Sequence, residues 1–339
     1  MRSLGAGMGI YGDRTVGLVR ARIFFLSLWF LAPAAAPLCA QPAAFKWELE
    51  NQIVRTVTVV ADYPRLGGLT ERERRKHVEF IIGNTLFVLG HEVGHALIRE
   101  MAIPVIGREE DGADSFSALL ALSLGETFAD QVLINAATGW FYSNRRDRHD
   151  GIHATFYDEH GMDLQRAYHV VCLMVGSNPD RFRQLADETG IPEERQGRCR
   201  DDYNNAAWSW GKVTEPHRRR PEQPKAAINV VYGAAEGEVA IFAQAGQHIK
   251  ILETMAEFLA EQYVWPAPIS LEFETCGESG ARWEFRTRRI VVCYEMVAEF
   301  SQLYRTYRKS DAFALDDMVL QLSEARREYP PEEWRSAPE

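Results

Sequence analysis

The 339-residue sequence is short of positive charge: 38 Lys and Arg stand against 48 Asp and Glu, for a net charge of −10. A chain this acidic is a poor match for nucleic acid, whose phosphates call for clustered cations, so no nucleic-acid partner is expected. Its two local basic runs, residues 72–76 and 218–220, read as a solvated helix face and a linker. The five cysteines include no C-x2–4-C pair, which argues against a four-cysteine zinc site. There is also no internal repeat and no heptad array, so solenoid and coiled-coil architectures are set aside.

What is present is a composition of 46% hydrophobic and 25% charged residues, suited to a packed globular core. The first forty residues have the order of a secretory leader. Arg14, Arg20 and Arg22 precede an apolar run over residues 23–32, and small residues then lead to Ala40. That run is about half of the ~20 residues a membrane span needs. The expected location is therefore outside the cytoplasm, periplasmic or secreted, with membrane contact only through an uncleaved leader. Loss of residues 1–40 removes four Arg and one Asp and moves the net charge to −13. Four cysteines then remain: Cys172, Cys199, Cys276 and Cys293. An even number in an exported chain favours disulfides. Three connectivities are possible, and proximity in sequence favours Cys172–Cys199 and Cys276–Cys293.

Along the chain, residues 53–61 are β-branched and apolar before Asp62-Tyr63-Pro64 and predict a strand. Residues 77–100 repeat apolar positions at three- and four-residue steps and predict a helix that ends before Pro104 and Gly107. A second helix is expected from about Glu109, with others over residues 129–140, 164–175, 179–187 and 201–210. A Pro-punctuated stretch, 213–225, reads as a linker or exposed crossover. Beyond it a strand over 228–232, a helix over 248–262, a strand over 269–276 and a hairpin with arms 282–285 and 289–294 are expected. The reading is an α+β fold, mostly helical. It has a leader over 1–40, a metal-binding region over 41–212, the linker, a smaller β-containing part with a disulfide hairpin over 226–325 and a disordered tail over 326–339.

His91-Glu92-Val93-Gly94-His95 lies on the strongly periodic helix. Histidines four apart project from one face and can share a metal ion, with Glu92 beside them. The bland alternative is two ordinary surface or core histidines. Against it, the helix is very apolar around Phe80, Ile81, Ile82, Leu86, Phe87, Val88 and Leu89, and burying two imidazoles and a carboxylate there is costly without partners. Gly90 and Gly94 each cost ~1 kcal/mol in a helix interior, which suggests the close approach of another element. Fifteen residues after His95 lies Glu110, in the segment Glu109-Glu110-Asp111-Gly112-Ala113-Asp114 that opens the next helix and offers a third ligand.

These residues resemble the gluzincin branch of zinc peptidases, whose pattern is H-E-x-x-H followed by E-x-x-A-D. The resemblance implies one zinc ion held by His91, His95 and Glu110, with Asp114 accepting an N–H from a ligand histidine. Glu109 and Asp111 are second choices, and Glu126-Thr127-Phe128-Ala129-Asp130 is a competing copy of the second motif. The chain is also similar to a bacterial family of metallopeptidases labelled a domain of unknown function. The matching stretches are residues 91–95, Gly107 to Asp111, Asp158-Glu159-His160 with Gln165-Arg166, Cys172, Cys199, Cys276-Gly277-Glu278 and Cys293-Tyr294-Glu295. Trp283-Glu284-Phe285 departs from the asparagine-containing sequence expected there, and the disulfide hairpin follows the metal helix where the family order is expected to place it before.

The resemblance implies a zinc-dependent hydrolase of peptide bonds acting on peptide or protein substrates. Glu92 is expected to act as general base; His160, beside Asp158 and Glu159, is the leading candidate for oxyanion stabiliser against the alternative of a solvated loop histidine, with Tyr157, Arg166 and His169 as further candidates. Two other readings stand beside it: a zinc-stabilised binding or structural protein without catalysis, and an amidase acting on cell-wall peptides.

Overall fold

A computed structural model describes residues 48–308 apart from 62, 64, 65, 67, 154 and 155. The expected leader and tail lie outside the described residues. The fold is α+β and mostly helical, with eleven α-helices and one four-stranded mixed sheet among the described residues.

Helix α1 (Leu49–Val59) leads to the long α2 (Glu71–Glu100), and α3 (Glu109–Ser123) turns back beside it. Then come α4 (Glu126–Ala129), a π-helical segment (Asp130–Ile134) and α5 (Asn135–His149). Helices α6 (Asp163–Ser177), α7 (Pro179–Glu188) and α8 (Glu193–Thr214) complete the helical half. The other half runs β1 (Ile228–Tyr232), α9 (Ala240–Ile249), α10 (Ile251–Gln262), β2 (Ile269–Glu274), β3 (Ala281–Glu284), β4 (Arg289–Cys293) and α11 (Tyr294–Tyr307).

Residues 53–61 overturn the expected strand: they belong to α1 and the residues that follow it. Leu49, Ile53, Thr56 and Val60 are all buried and recur at helical spacing, so one helical face seals the core while β-branched residues sit around it. Tertiary burial outweighs the weak strand preference of Val and Thr. The helix expected over 248–262 is also divided, because Lys250 adopts φ 55° and separates α9 from α10. The stretch 213–225 is tied down: Arg218 bridges Tyr263 in the backbone, and Arg219 binds the Glu261 carboxylate at 2.7 Å.

In the sheet, order β1-β2-β4-β3, strands β1, β2 and β4 run parallel while β3 pairs antiparallel with β4 at one edge. The central strand β2 is buried at five of six positions, as a strand covered on both faces requires. Both disulfides form, Cys172–Cys199 between α6 and α8 and Cys276–Cys293 across the start of the β3 hairpin. The described residues fall within one compact unit.

Helix α2 is the axis of this unit. Its start is fixed by a capping box in which Thr70 and Glu73 each bond the other's backbone N–H. By length and composition it could cross a membrane, yet 89% of its most apolar window is buried inside the protein, which makes it a core helix.

Candidate metal centre and cleft

The glycines of α2 explain how α3 comes close enough to share a site. A Cβ on Gly94 would lie 3.0 Å from Ala113 Cα, and one on Gly90 would lie 2.6 Å from Ser117 Oγ. The two glycines and their two neighbours are each four residues apart, so the helices cross with small residues at the contact. Ser117 Oγ donates to the Phe87 carbonyl at 2.7 Å and ties the helices there. This approach brings the first turns of α3 over His91 and His95.

His91 Nδ1 bonds Asp114 Oδ1 at 2.8 Å, and His91 Nε2 lies 3.0 Å from Glu110 Oε2. His95 Nδ1 bonds Glu109 Oε1 at 2.9 Å, while His95 Nε2 lies 3.1 Å from His91 Nε2 and 3.4 Å from Glu110 Oε2. A fourth donor atom, His160 Nε2, stands 2.9 Å from the same Glu110 oxygen. His91, Glu110 and His160 thus offer ligand atoms within 4.8 Å of one another.

The donor set fits a divalent cation. With each Nδ1 hydrogen assigned to its carboxylate partner, two imidazole lone pairs and a carboxylate oxygen face one another at hydrogen-bond range. Such an arrangement is repulsive unless protons or a cation sit between them. Ligands bound at ~2.0–2.1 Å in a tetrahedron are about 3.3 Å apart, and the three separations here are 3.0, 3.1 and 3.4 Å.

The electrostatics lean the same way. Burial opposes charge on His91, but its hydrogen bonds with Asp114 and Glu110 raise its pKa to about 9. His95 also moves up against burial, through Glu110 and Glu109. Burial disfavours the Glu110 and Asp114 anions, yet both are held well below the usual carboxylate range. For Glu110 the cause is the hydrogen bonds from His160, His91 and His95, and for Asp114 it is His91 and Arg166. The pocket attracts positive charge.

Glu92 is 6% exposed and lines the cleft, and the Trp283 backbone N–H bonds its carboxylate. Burial raises its pKa, the direction required of a base that must hold a proton in passing. The cleft itself has a volume of about 790 Å³. The His91–His95 face of α2 forms its floor, Glu109, Glu110 and Arg108 stand on one side, and Ala281, Trp283 and Phe285 of the β3 hairpin on the other. His160 lies on the loop before α6, half-exposed, with its backbone N–H and ring both directed at Asp158 Oδ1.

Other candidates lie elsewhere. Glu126 is 70% exposed in its side chain and paired with Arg181. Tyr157 is exposed. His169 is bonded to Ser115 Oγ at 2.8 Å. Arg166 turns away from the donor atoms to grip Asp114 through two hydrogen bonds of 2.8 and 2.7 Å, its guanidinium 3.8 Å from the Trp140 ring centroid. Sequence reasoning missed the placement of Glu109 opposite His95 Nδ1 and of β3 beside Glu92. The only signal for the first was an acidic triplet that does not say which acid meets which ring.

Helix-borne histidines converging with a carboxylate beside an open cleft form a group that could hold a metal ion. A family model described as "Putative metallopeptidase" matches residues 33–213 and 236–325, and the chain belongs to that family. No curated protein and no solved structure matches the chain.

Proposed function

We propose that the protein is a zinc-dependent endopeptidase working outside the cytoplasm on peptide or protein substrates. The observation that carries this reading is the convergence of His91 Nε2, His95 Nε2 and Glu110 Oε2 on one point of an open cleft that also holds Glu92. Two imidazoles and one carboxylate are a ligand set that suits zinc and leaves room for water. Zinc held there supplies Lewis-acid polarisation of a carbonyl and a water of lowered pKa.

The chain's own residues supply the rest. Glu92 takes a proton from the attacking water and returns it to the leaving amine, a role served by its burial and by the Trp283 N–H that aims its carboxylate. His160 donates from Nε2 to the oxyanion that develops on the scissile carbonyl. Asp158 orients its ring at Nδ1. Among the described residues the edge strand β3 has one side free of strand partners and faces the cleft, so an extended peptide can lie along it by main-chain pairing. Export agrees with the order of charges and apolar residues in the first forty residues and with two formed disulfides. The open cleft favours catalysis over a purely structural metal, whose site would be closed.

The test joins metal analysis of the purified protein to cleavage of casein or a peptide library by wild type and Glu92→Gln. We expect one equivalent of zinc in both, cleavage by wild type and a rate ~10²–10⁴-fold lower in the variant. Stoichiometric zinc with no cleavage of any substrate by either would overturn the peptidase reading and leave the metal site standing.

A further inference from the structure

We infer that Glu109 is a positioning residue for the metal centre, holding His95 as Asp114 holds His91, and that Arg99 keeps Glu109 in place. The inference rests on the metal reading above. No spacing rule assigns Glu109 a task, since the matched motif passes over it to Glu110. The coordinates nevertheless divide its carboxylate between two donors: Oε1 lies 2.9 Å from His95 Nδ1, and Oε2 lies 2.8 Å from the Arg99 guanidinium. Arg99 is four residues beyond His95 on α2, so both stand on the face that α3 approaches. Glu109 opens α3 next to Glu110, so one backbone turn delivers both the carboxylate aimed at the Nε2 atoms and the carboxylate behind the His95 ring.

The two histidines then have matching supports. His91 leans on Asp114 and Asp114 on Arg166, while His95 leans on Glu109 and Glu109 on Arg99. In each case the carboxylate fixes Nδ1 as the protonated nitrogen, leaves Nε2 free to ligate and raises its basicity. The supports differ in exposure. Side-chain exposures of Asp114 and Arg166 are 4% and 10%, whereas those of Glu109 and Arg99 are 23% and 56%. The Glu109 support works at the rim of the cleft and is screened by solvent and salt, so it contributes less than Asp114.

The experiment measures zinc affinity by competition with a chelator for wild type, Glu109→Ala, Glu109→Gln and Arg99→Met. Cobalt-substituted absorption spectra and melting of the metal-free proteins accompany it. Glu109→Ala is expected to bind zinc ~10–100-fold more weakly and to shift the cobalt ligand-field bands. Glu109→Gln, which keeps an acceptor oxygen, is expected to recover part of the loss, and Arg99→Met to lose less than Glu109→Ala. Wild-type affinity and an unchanged cobalt spectrum in Glu109→Ala would overturn the role of Glu109. So would an affinity loss matched by a drop in metal-free melting with no spectral change. A wild-type protein that binds no metal would instead overturn the reading beneath it.

Discussion

The two ends of α2 carry equally buried histidines that behave in opposite ways. His77 is 0% exposed and His91 4% exposed. At His77 the ring bonds the Ser301 hydroxyl at 3.0 Å and packs on Tyr304 with ring centroids 5.0 Å apart, and its Nδ1 has no hydrogen-bond partner among the described residues. Burial, with the charges of Arg308 and Arg305, pushes its pKa down to about 4. At His91, burial exerts the same opposition, but Asp114 and Glu110 lift the pKa to about 9. Burial without a carboxylate partner, and with two arginines nearby, therefore makes a neutral core histidine. Two carboxylates delivered by α3 turn the same residue type on the same helix into a seat for positive charge.

The contrast is broken most strongly by taking away Glu110, whose Oε2 faces the Nε2 atoms of both His91 and His95. Glu110→Gln should weaken zinc binding by more than the ~100-fold upper range for an outer partner and abolish cleavage. Chelator competition and peptide assays read both, and wild-type affinity in the variant would erase the distinction drawn between the two ends. His160 stands outside the pair of α2 histidines and should affect rate more than binding. His160→Ala should lower kcat ~10²–10³-fold, as expected for loss of one oxyanion donor, while zinc affinity measured in parallel stays near wild type. A comparable fall in zinc affinity would make His160 a ligand and not a donor to substrate.

The quiet end of the helix supplies the smallest effect. The folded-state pKa of His77, about 4, lies below its ordinary 6.5, so unfolding takes up a proton between those values. Its contribution is complete above pH 6.5 and is lost as pH falls towards 4. It amounts to ~3 kcal/mol at most for a group this deeply buried. Urea unfolding at pH 7, 5 and 4 should show His77→Gln losing less stability on acidification than wild type over that window. Parallel pH profiles for the two proteins would show that His77 is not held neutral by the fold.

Much of the ligand end is legible in the sequence because its geometry is local. A four-residue step puts two rings on one face, Gly90 and Gly94 announce a close neighbour, and a short turn returns an acidic helix start. The helices of the first half and the hairpin of the second are legible for the same reason. What is not local is lost. Residues 53–61 look like a strand until Leu49, Ile53, Thr56 and Val60 are seen facing one core. Lys250 breaks a helix in the left-handed region without a Gly or Asn to signal it. Three consecutive acids, Glu109, Glu110 and Asp111, differ in role only through the angle at which α3 meets α2. One turns to His95 Nδ1, the next to the Nε2 atoms and the third to Arg108. Likewise the Trp283 N–H reaches Glu92 only because β3 is the sheet edge nearest α2, a matter of strand order that no motif states.

The central claim is that His91, His95 and Glu110 hold one zinc ion, and X-ray absorption at the zinc edge of the purified protein tests it most directly. One bound zinc with two imidazole nitrogens and a carboxylate oxygen at ~2.0–2.1 Å is expected, with loss of imidazole scattering in His91→Ala and His95→Ala. A protein without bound metal, or a zinc shell that those two substitutions leave unchanged, would contradict it.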